Sequence, residues 1–181
     1  MRIRNIIILL AVLAVLAGIY LIVSRPEPEE PTQPTKYVWD VDEEDIQHIV
    51  ISLPREDKSQ AFIKISEGVW VFDDEQKTPV DPYQWGGIPL LLKGPGADRV
   101  IKENATDEEL ARYGLAEPSM IITLTLADES TMIINVGDST PNGYNYYVRA
   151  PNSNAVATVD YTWYNVLANL VLNPSYVPAE K

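Results

Sequence analysis

The chain contains no cysteine. That absence excludes disulfide frameworks, cysteine-ligated zinc, iron–sulfur clusters and thiol catalysis together. Histidine is nearly absent too. His48 is the single one, so no histidine-rich metal site and no conventional Ser-His-Asp arrangement with a spare imidazole can be built. Bases are scarce, 14 against 26 acids, for a formal charge of −12. So acidic a chain is a poor partner for nucleic acid or an anionic membrane face through its bulk surface. Hydrophobic residues nevertheless make up 46% of the 181, which is not the composition of a disordered chain.

The short motifs of nucleotide and acyl-transfer chemistry are also missing. There is no phosphate-binding loop, dinucleotide fingerprint or Gly-x-Ser-x-Gly elbow. Gly94-Pro95-Gly96 has no Lys-Ser/Thr after it and reads as a turn. Asp138 to Gly143 starts like a calcium loop, but the twelfth position is Arg149 in place of a bidentate Glu. The acid runs Asp42–Asp45 and Asp73–Glu75 are expected to be solvated faces. His48 is expected to be a packed or edge histidine on a strand face with Ile46 and Val50. No carboxylate pair stands out for glycoside chemistry. The expectation is therefore no catalytic residue, no cofactor and no metal.

What the chain does have is one long apolar run. Ile6 to Val23 is 18 residues without a charge. As a helix it would span roughly 27 Å, close to the hydrocarbon thickness of a bilayer. Arg2 and Arg4 precede it, and Glu27, Glu29 and Glu30 follow. The positive-inside bias predicts a single-pass anchor over residues 1–23, N-terminus in the cytoplasm. A cleaved secretory signal is the rival, but no small-x-small site precedes a polar junction. Ala11, Ala14 and Gly18 fall at i, i+3 and i+7 and form a candidate contact face for a partner helix; ordinary lipid-facing composition accounts for them equally well. Residues 24–36 carry four prolines and three glutamates. They read as a linker, either an extended polyproline-like tether or plain disorder.

Residues 37–181 hold 23 acids and 10 bases, enough length to bury a core alone. Their pattern is mostly period two. Strands are predicted at Ile46–Leu53, around Ala61, Ile63 and Ile65 as one face, at Val69–Phe72, and at Arg99–Lys102. Met120, Ile122, Leu124 and Leu126 alternate on the clearest strand, with Met132, Ile134 and Val136 inward on its partner. Gly137–Gly143 reads as a polar loop, Tyr144–Arg149 and Val156–Val159 as two further strands. Asp81-Pro82 starts a helix that Gly86, Gly87 and Pro89 break. Thr106 to Glu109 is a capping-box sequence, and Gly114 ends its short helix. Asp160 caps a last helix whose inward face is Trp163, Val166, Leu167, Leu170 and Val171. The fold class expected is α+β: antiparallel β meanders with a few short helices, preceded by one transmembrane helix. A faint repeat, strand meander then Asp then leucine-rich helix, offers a division into two similar halves, with chance similarity as the alternative.

Several of these elements together resemble a bacterial family known as a domain of unknown function, number 4340. The matching residues are the Ile46–Leu53 strand, Val69-Trp70, the Asp81 helix start, Tyr113-Gly114-Leu115-x-x-Pro118, the Ile121–Leu126 strand, Gly137-Asp138 and Tyr146-Tyr147-Val148. The Tyr-Gly-Leu-x-x-Pro element is the most specific. The chain departs from the family at Gly86, Gly87 and Pro89, where members carry an unbroken helix, and at Glu129-Ser130, where members often carry Gly. The resemblance implies a single anchor ahead of an extracytoplasmic domain and no established activity. Some members are encoded beside gliding-type ABC transporter components, which implies an accessory envelope role.

Tyr144, Tyr146, Tyr147, Trp163 and Tyr164 make the C-terminal part aromatic-rich. Core and half-buried strand packing is the first reading. They are also interface candidates, since Tyr and Trp bury area while keeping a polar tip, and a glycan-stacking face is the further alternative. The leading expectation is a non-catalytic accessory or structural subunit of a bacterial envelope complex. Its partners would be integral membrane proteins, transporter-type among them, and the bilayer through residues 6–23. Its domain would lie on the extracytoplasmic side of the cytoplasmic membrane. The alternative is a membrane-tethered glycan- or peptide-binding module.

Overall fold

Alternation of apolar and polar side chains builds most of the architecture, because successive strand residues point to opposite faces. A computed structural model describes Leu13, residues 38–97 and residues 99–174. The chain divides into two units, Met1–Pro34 and Thr35–Lys181, and every element below belongs to the second. Apart from Leu13, the apolar run lies outside the described residues, as do the linker and Ala11, Ala14 and Gly18. Among the described residues no helix is long and apolar enough to cross a membrane.

The strands are β1 (Ile46–Leu53), β2 (Lys58–Ser66), β3 (Val69–Phe72), β4 (Arg99–Lys102), β5 (Met120–Leu126), β6 (Thr131–Ser139), β7 (Asn145–Arg149) and β8 (Val156–Asp160). They form one sheet in the order β3-β2-β1-β5-β6-β7-β8-β4. Every pairing in it is antiparallel. Two meanders, β1–β3 and β5–β8, meet along β1 and β5, where Ile49 faces Leu124 and Ile51 faces Ile122. β4 leaves chain order and adds to the far edge of β8, with Arg99 opposite Thr158.

Four α-helices and two single 3-10 turns (Glu43–Asp45 and Pro54–Glu56) complete the fold among the described residues, the α-helices being α1 (Pro82–Trp85), α2 (Ile88–Lys93), α3 (Asp107–Arg112) and α4 (Tyr161–Leu172). Their starts are set by local chemistry. The Asp81 carboxylate accepts from the Tyr83 N–H at 2.9 Å, and Pro82 takes the first helical position. Gly86 and Gly87 then interrupt the helix, Gly87 at φ +84°. Thr106 Oγ1 accepts from the Glu109 N–H, and the Glu109 carboxylate accepts from the Thr106 N–H. This is the reciprocal capping box expected from the sequence. The Asp160 carboxylate accepts from the Thr162 N–H at 2.7 Å and starts α4.

The main core lies on one face of the sheet. Ile49, Ile51, Phe62, Leu124, Ile134 and Val148 meet Ile88, Leu92, Trp163, Leu167 and Val171 there. Fully burying one such side chain contributes about 1.5–3 kcal/mol. Two tryptophans tie the layers by their polar ends. Trp39 Nε1 donates to Leu92 O at 2.9 Å, and Trp163 Nε1 donates to Leu91 O at 3.1 Å. Their rings meet edge-on at 6.0 Å. A smaller core on the opposite face packs Ala105, Leu110 and Leu115 on Val156.

Several strand faces differ from expectation. On β2 the core residue is Phe62, which packs on Phe72 and Trp85; Ala61, Ile63 and Ile65 point the other way. One large aromatic outweighs three smaller apolar residues in choosing the face. On β1 a register shift between Ile46 and His48 turns Ile46 into the core and leaves His48 on the outer face. β6 runs on to Ser139, three residues into the stretch expected to be loop. On α4 Val166 is exposed and Ala168 takes the inward place, because a small residue lets the helix approach the sheet.

Candidate functional site

The sheet has two unequal faces. The helices α1, α2 and α4 share the main core with one of them. The other carries the small core only at its β7–β8–β4 end. Across β2, β1, β5 and β6 the outer rows are Ala61–Val50–Thr123–Ile133, Ile63–His48–Thr125–Thr131 and Ser59–Ser52–Ile121–Asn135. These twelve positions hold one titratable residue, His48, and no Asp, Glu, Lys or Arg. Val50, Ile63, Ile121 and Ile133 belong to neither core. Ile133 is 53% exposed and Ile65, beside these rows, 57%. Five of the twelve positions are apolar and seven polar but uncharged as strand residues, with the Asp73–Lys77 pair reaching the patch only at His48. Depletion of charge is a mark of interface cores, and here it stands in a domain with 33 charged side chains.

At the other end of the same face is an open cleft of about 370 Å³. Its floor is the cross-strand row Tyr147, Thr158 and Arg99, with Asn145 and Ile101 alongside. Its wall is the turn at Thr140–Asn142. That turn is fixed from within. Thr140 Oγ1 donates to the Asn142 side-chain oxygen at 2.7 Å, which also accepts from the Tyr144 N–H at 3.2 Å. The Asn145 N–H in turn donates to Thr140 Oγ1.

The five aromatic candidates do not share one surface. Tyr144 is 67% exposed at the head of β7. Tyr146 and Tyr164 stack on each other at 3.8 Å, on the α4 side of the sheet. Burial pushes the Tyr146 hydroxyl above the ordinary phenol range. Tyr147 lies on the opposite face against Tyr113, at 4.7 Å. The period of a strand forces that split between adjacent residues. Trp163 is buried in the main core and hydrogen-bonded there, so it is not available to a partner. Of the five, Tyr147 alone lines the cleft. Arg99 and Asn142 had no signal in the sequence, since residues 99, 142, 147 and 158 meet only through the order of the sheet.

The titratable groups elsewhere are engaged locally. His48 Nε2 and the Asp73 carboxylate are 3.0 Å apart, and Lys77 Nζ reaches the other oxygen of Asp73. The Lys77 hydrogen bond, then that of His48, holds the Asp73 carboxyl below its ordinary 3.8. Glu109 is likewise held low, first by Lys102 Nζ at 2.5 Å and then by the Thr106 N–H. Among the described residues no three acidic or histidine side chains converge as metal ligands.

Two of the motifs that carry the family resemblance, Tyr113-Gly114-Leu115-x-x-Pro118 and Gly137-Asp138, meet in space. Tyr113 O accepts from the Asp138 N–H at 2.9 Å. A Cβ on Gly137 would run into Tyr113 O, and one on Gly114 would run into the Asp138 carboxylate. Arg55 Nη2 spans the Asp138 carboxylate at 2.7 Å and Glu117 O at 2.8 Å. Ser119 Oγ, buried, donates to Gly137 O at 2.6 Å. Asp138, the first position of the rejected calcium loop, is thus the acidic end of a structural clasp. Residues 70–172, more than half the chain, match the family model described as Domain of unknown function (DUF4340). No curated protein and no solved structure matches the chain.

Proposed function

This chain belongs to the DUF4340 family, and from that premise we propose that it is a non-catalytic accessory subunit of a bacterial envelope membrane complex. The observation that carries the reading is the outer face of β2, β1, β5 and β6, whose twelve strand positions hold no Asp, Glu, Lys or Arg. Its occupant is an extracytoplasmic segment of an integral membrane partner, apolar at its centre and basic at its rim. The rim follows from charge: residues 37–181 carry 23 acids against 10 bases, so a partner of opposite sign is steered toward the domain. The apolar run Ile6–Val23 supplies the anchor and Ala11, Ala14 and Gly18 a helix contact face, with the domain outside the cytoplasmic membrane.

The test is extraction from the native membrane in mild detergent, native gel migration and mass spectrometry of the band. The expected result is migration far above the 20.3 kDa of the chain, with integral membrane proteins in the band. Migration as a lone chain or a small homo-oligomer overturns the reading. A second reading, a membrane-tethered glycan- or peptide-binding module, draws on the Arg99 cleft.

A further inference from the structure

We infer that the cleft between the Thr140–Asn142 turn and the β7–β8–β4 floor is a binding site for a small carboxylate, with Arg99 as its anchor. The inference deepens the second reading above and does not depend on the docking one.

The first observation concerns charge. Six of the described cationic side chains are occupied: Arg55, Lys64, Lys77, Lys93, Lys102 and Arg112 each hold a carboxylate or a backbone carbonyl. The Arg99 guanidinium holds neither, although the domain has more than two acids for every base. No acidic residue lines the cleft among the described residues. Among the described residues, a guanidinium without a partner lining a cleft without acidic side chains presents five donors in a planar fork, the shape that takes a carboxylate in two parallel hydrogen bonds.

The second observation concerns hydrogen-bonding sense. The Asn142 side-chain oxygen already accepts from two donors, Thr140 Oγ1 and the Tyr144 N–H. Its amide nitrogen is thereby left as a donor. The Tyr147 hydroxyl, with no hydrogen-bond partner among the described residues, adds another polar group that can donate. Arg99, Asn142 and Tyr147 therefore offer donors from the floor and the wall, so the matching ligand is rich in acceptors. One guanidinium within a strongly acidic domain favours a singly charged anion over a phosphate dianion. Ile101, Pro141 and the Tyr147 ring supply apolar contact beside it. A volume of about 370 Å³ lies at the small end of ligand sites and suits a single sugar acid or the last two residues of a peptide. Both present the same carboxylate.

The experiment is calorimetric titration of the full chain in mild detergent with two acids, glucuronic acid and acetyl-alanyl-alanine. The neutral control is acetyl-alanyl-alanine amide. One acid is expected to bind, which identifies the source of the carboxylate, and the amide at least tenfold more weakly. R99Q should lower the acid's affinity at least tenfold. R149Q, outside the cleft, should not change it. Both variants should melt within a degree or two of the parent, Arg99 being exposed and without a partner. Equal binding of acid and amide, or undiminished binding by R99Q, overturns the carboxylate site while leaving a ligand-binding module standing. No binding of any probe overturns both.

Discussion

Gly114 concentrates two demands at one residue. Its φ is +71°, and an added Cβ would strike the Asp138 carboxylate. Asp138 cannot withdraw freely, because Arg55 holds it at 2.7 Å and its N–H is bonded to Tyr113 O. G114A is expected to cost about 1–3 kcal/mol, from left-handed backbone and displaced clasp together. Gly143 sits at φ +76° with nothing within 4 Å of a would-be Cβ, so G143A pays for conformation alone, about 1 kcal/mol. Thermal unfolding of the two variants separates the terms; equal losses would mean that the clasp contributes nothing. Asp73 makes a prediction about pH. Lys77, then His48, lowers its carboxyl below 3.8 in the folded protein, so the folded state binds fewer protons than the unfolded chain. The stabilisation is fully present above the ordinary carboxylate value and is lost as pH falls through the folded one. The pair is partly exposed, so its worth is about 1 kcal/mol or less. D73N should melt slightly below the parent at pH 6, and the gap should close as pH falls through the lowered value of the parent's carboxyl. A gap that persists at low pH would assign the loss to geometry and not to charge.

At the scale of elements, the caps and strand alternation were legible because their causes are local. Asp81, Thr106 and Asp160 each bond a backbone N–H two or three residues on. The Gly86-Gly87 break needs no tertiary information. Met120, Ile122 and Leu124 show a burial pattern that period two alone predicts. The choice of buried face was legible only where both faces were not apolar. β2 carries Ala61, Ile63 and Ile65 on one side and Phe62 on the other, and the decision rests with Phe72 and Trp85, far along the chain. The shift that inverts His48 against Ile46 depends on the register with β5. The candidate site was legible at Tyr147 alone. Arg99 reaches it because β4 pairs with β8, 59 residues on. Nothing in a four-residue strand announces which edge it will join, so the cleft is a product of topology.

For the molecule as a whole, the two faces of one sheet divide the labour. The helix-covered face holds the main core, and the outer face, outside its small core at the β7–β8–β4 end, carries Val50, Ile63, Ile121 and Ile133 in neither core. An uncovered β-branched surface risks association with further copies of itself. The surrounding acidity opposes that, since two copies with such an excess of acids repel each other. This separation of stability from contact is testable at Ile133. Its side chain is 53% exposed and belongs to neither core, so I133D should change unfolding free energy by no more than about 0.5 kcal/mol. Buried against a partner, the same carboxylate would be unpaired in an apolar interface, a cost of several kcal/mol. The expected outcome is a parent-like melting curve together with loss of the high-mass band on the native gel. Ile134, the next residue, is fully buried in the main core, and I134D should unfold the domain instead. Adjacent residues with opposite consequences are what a one-sided sheet requires. An I133D protein that keeps the high-mass band would remove this face from the proposed interface and leave the proposed anchor, Ile6–Val23, to carry it.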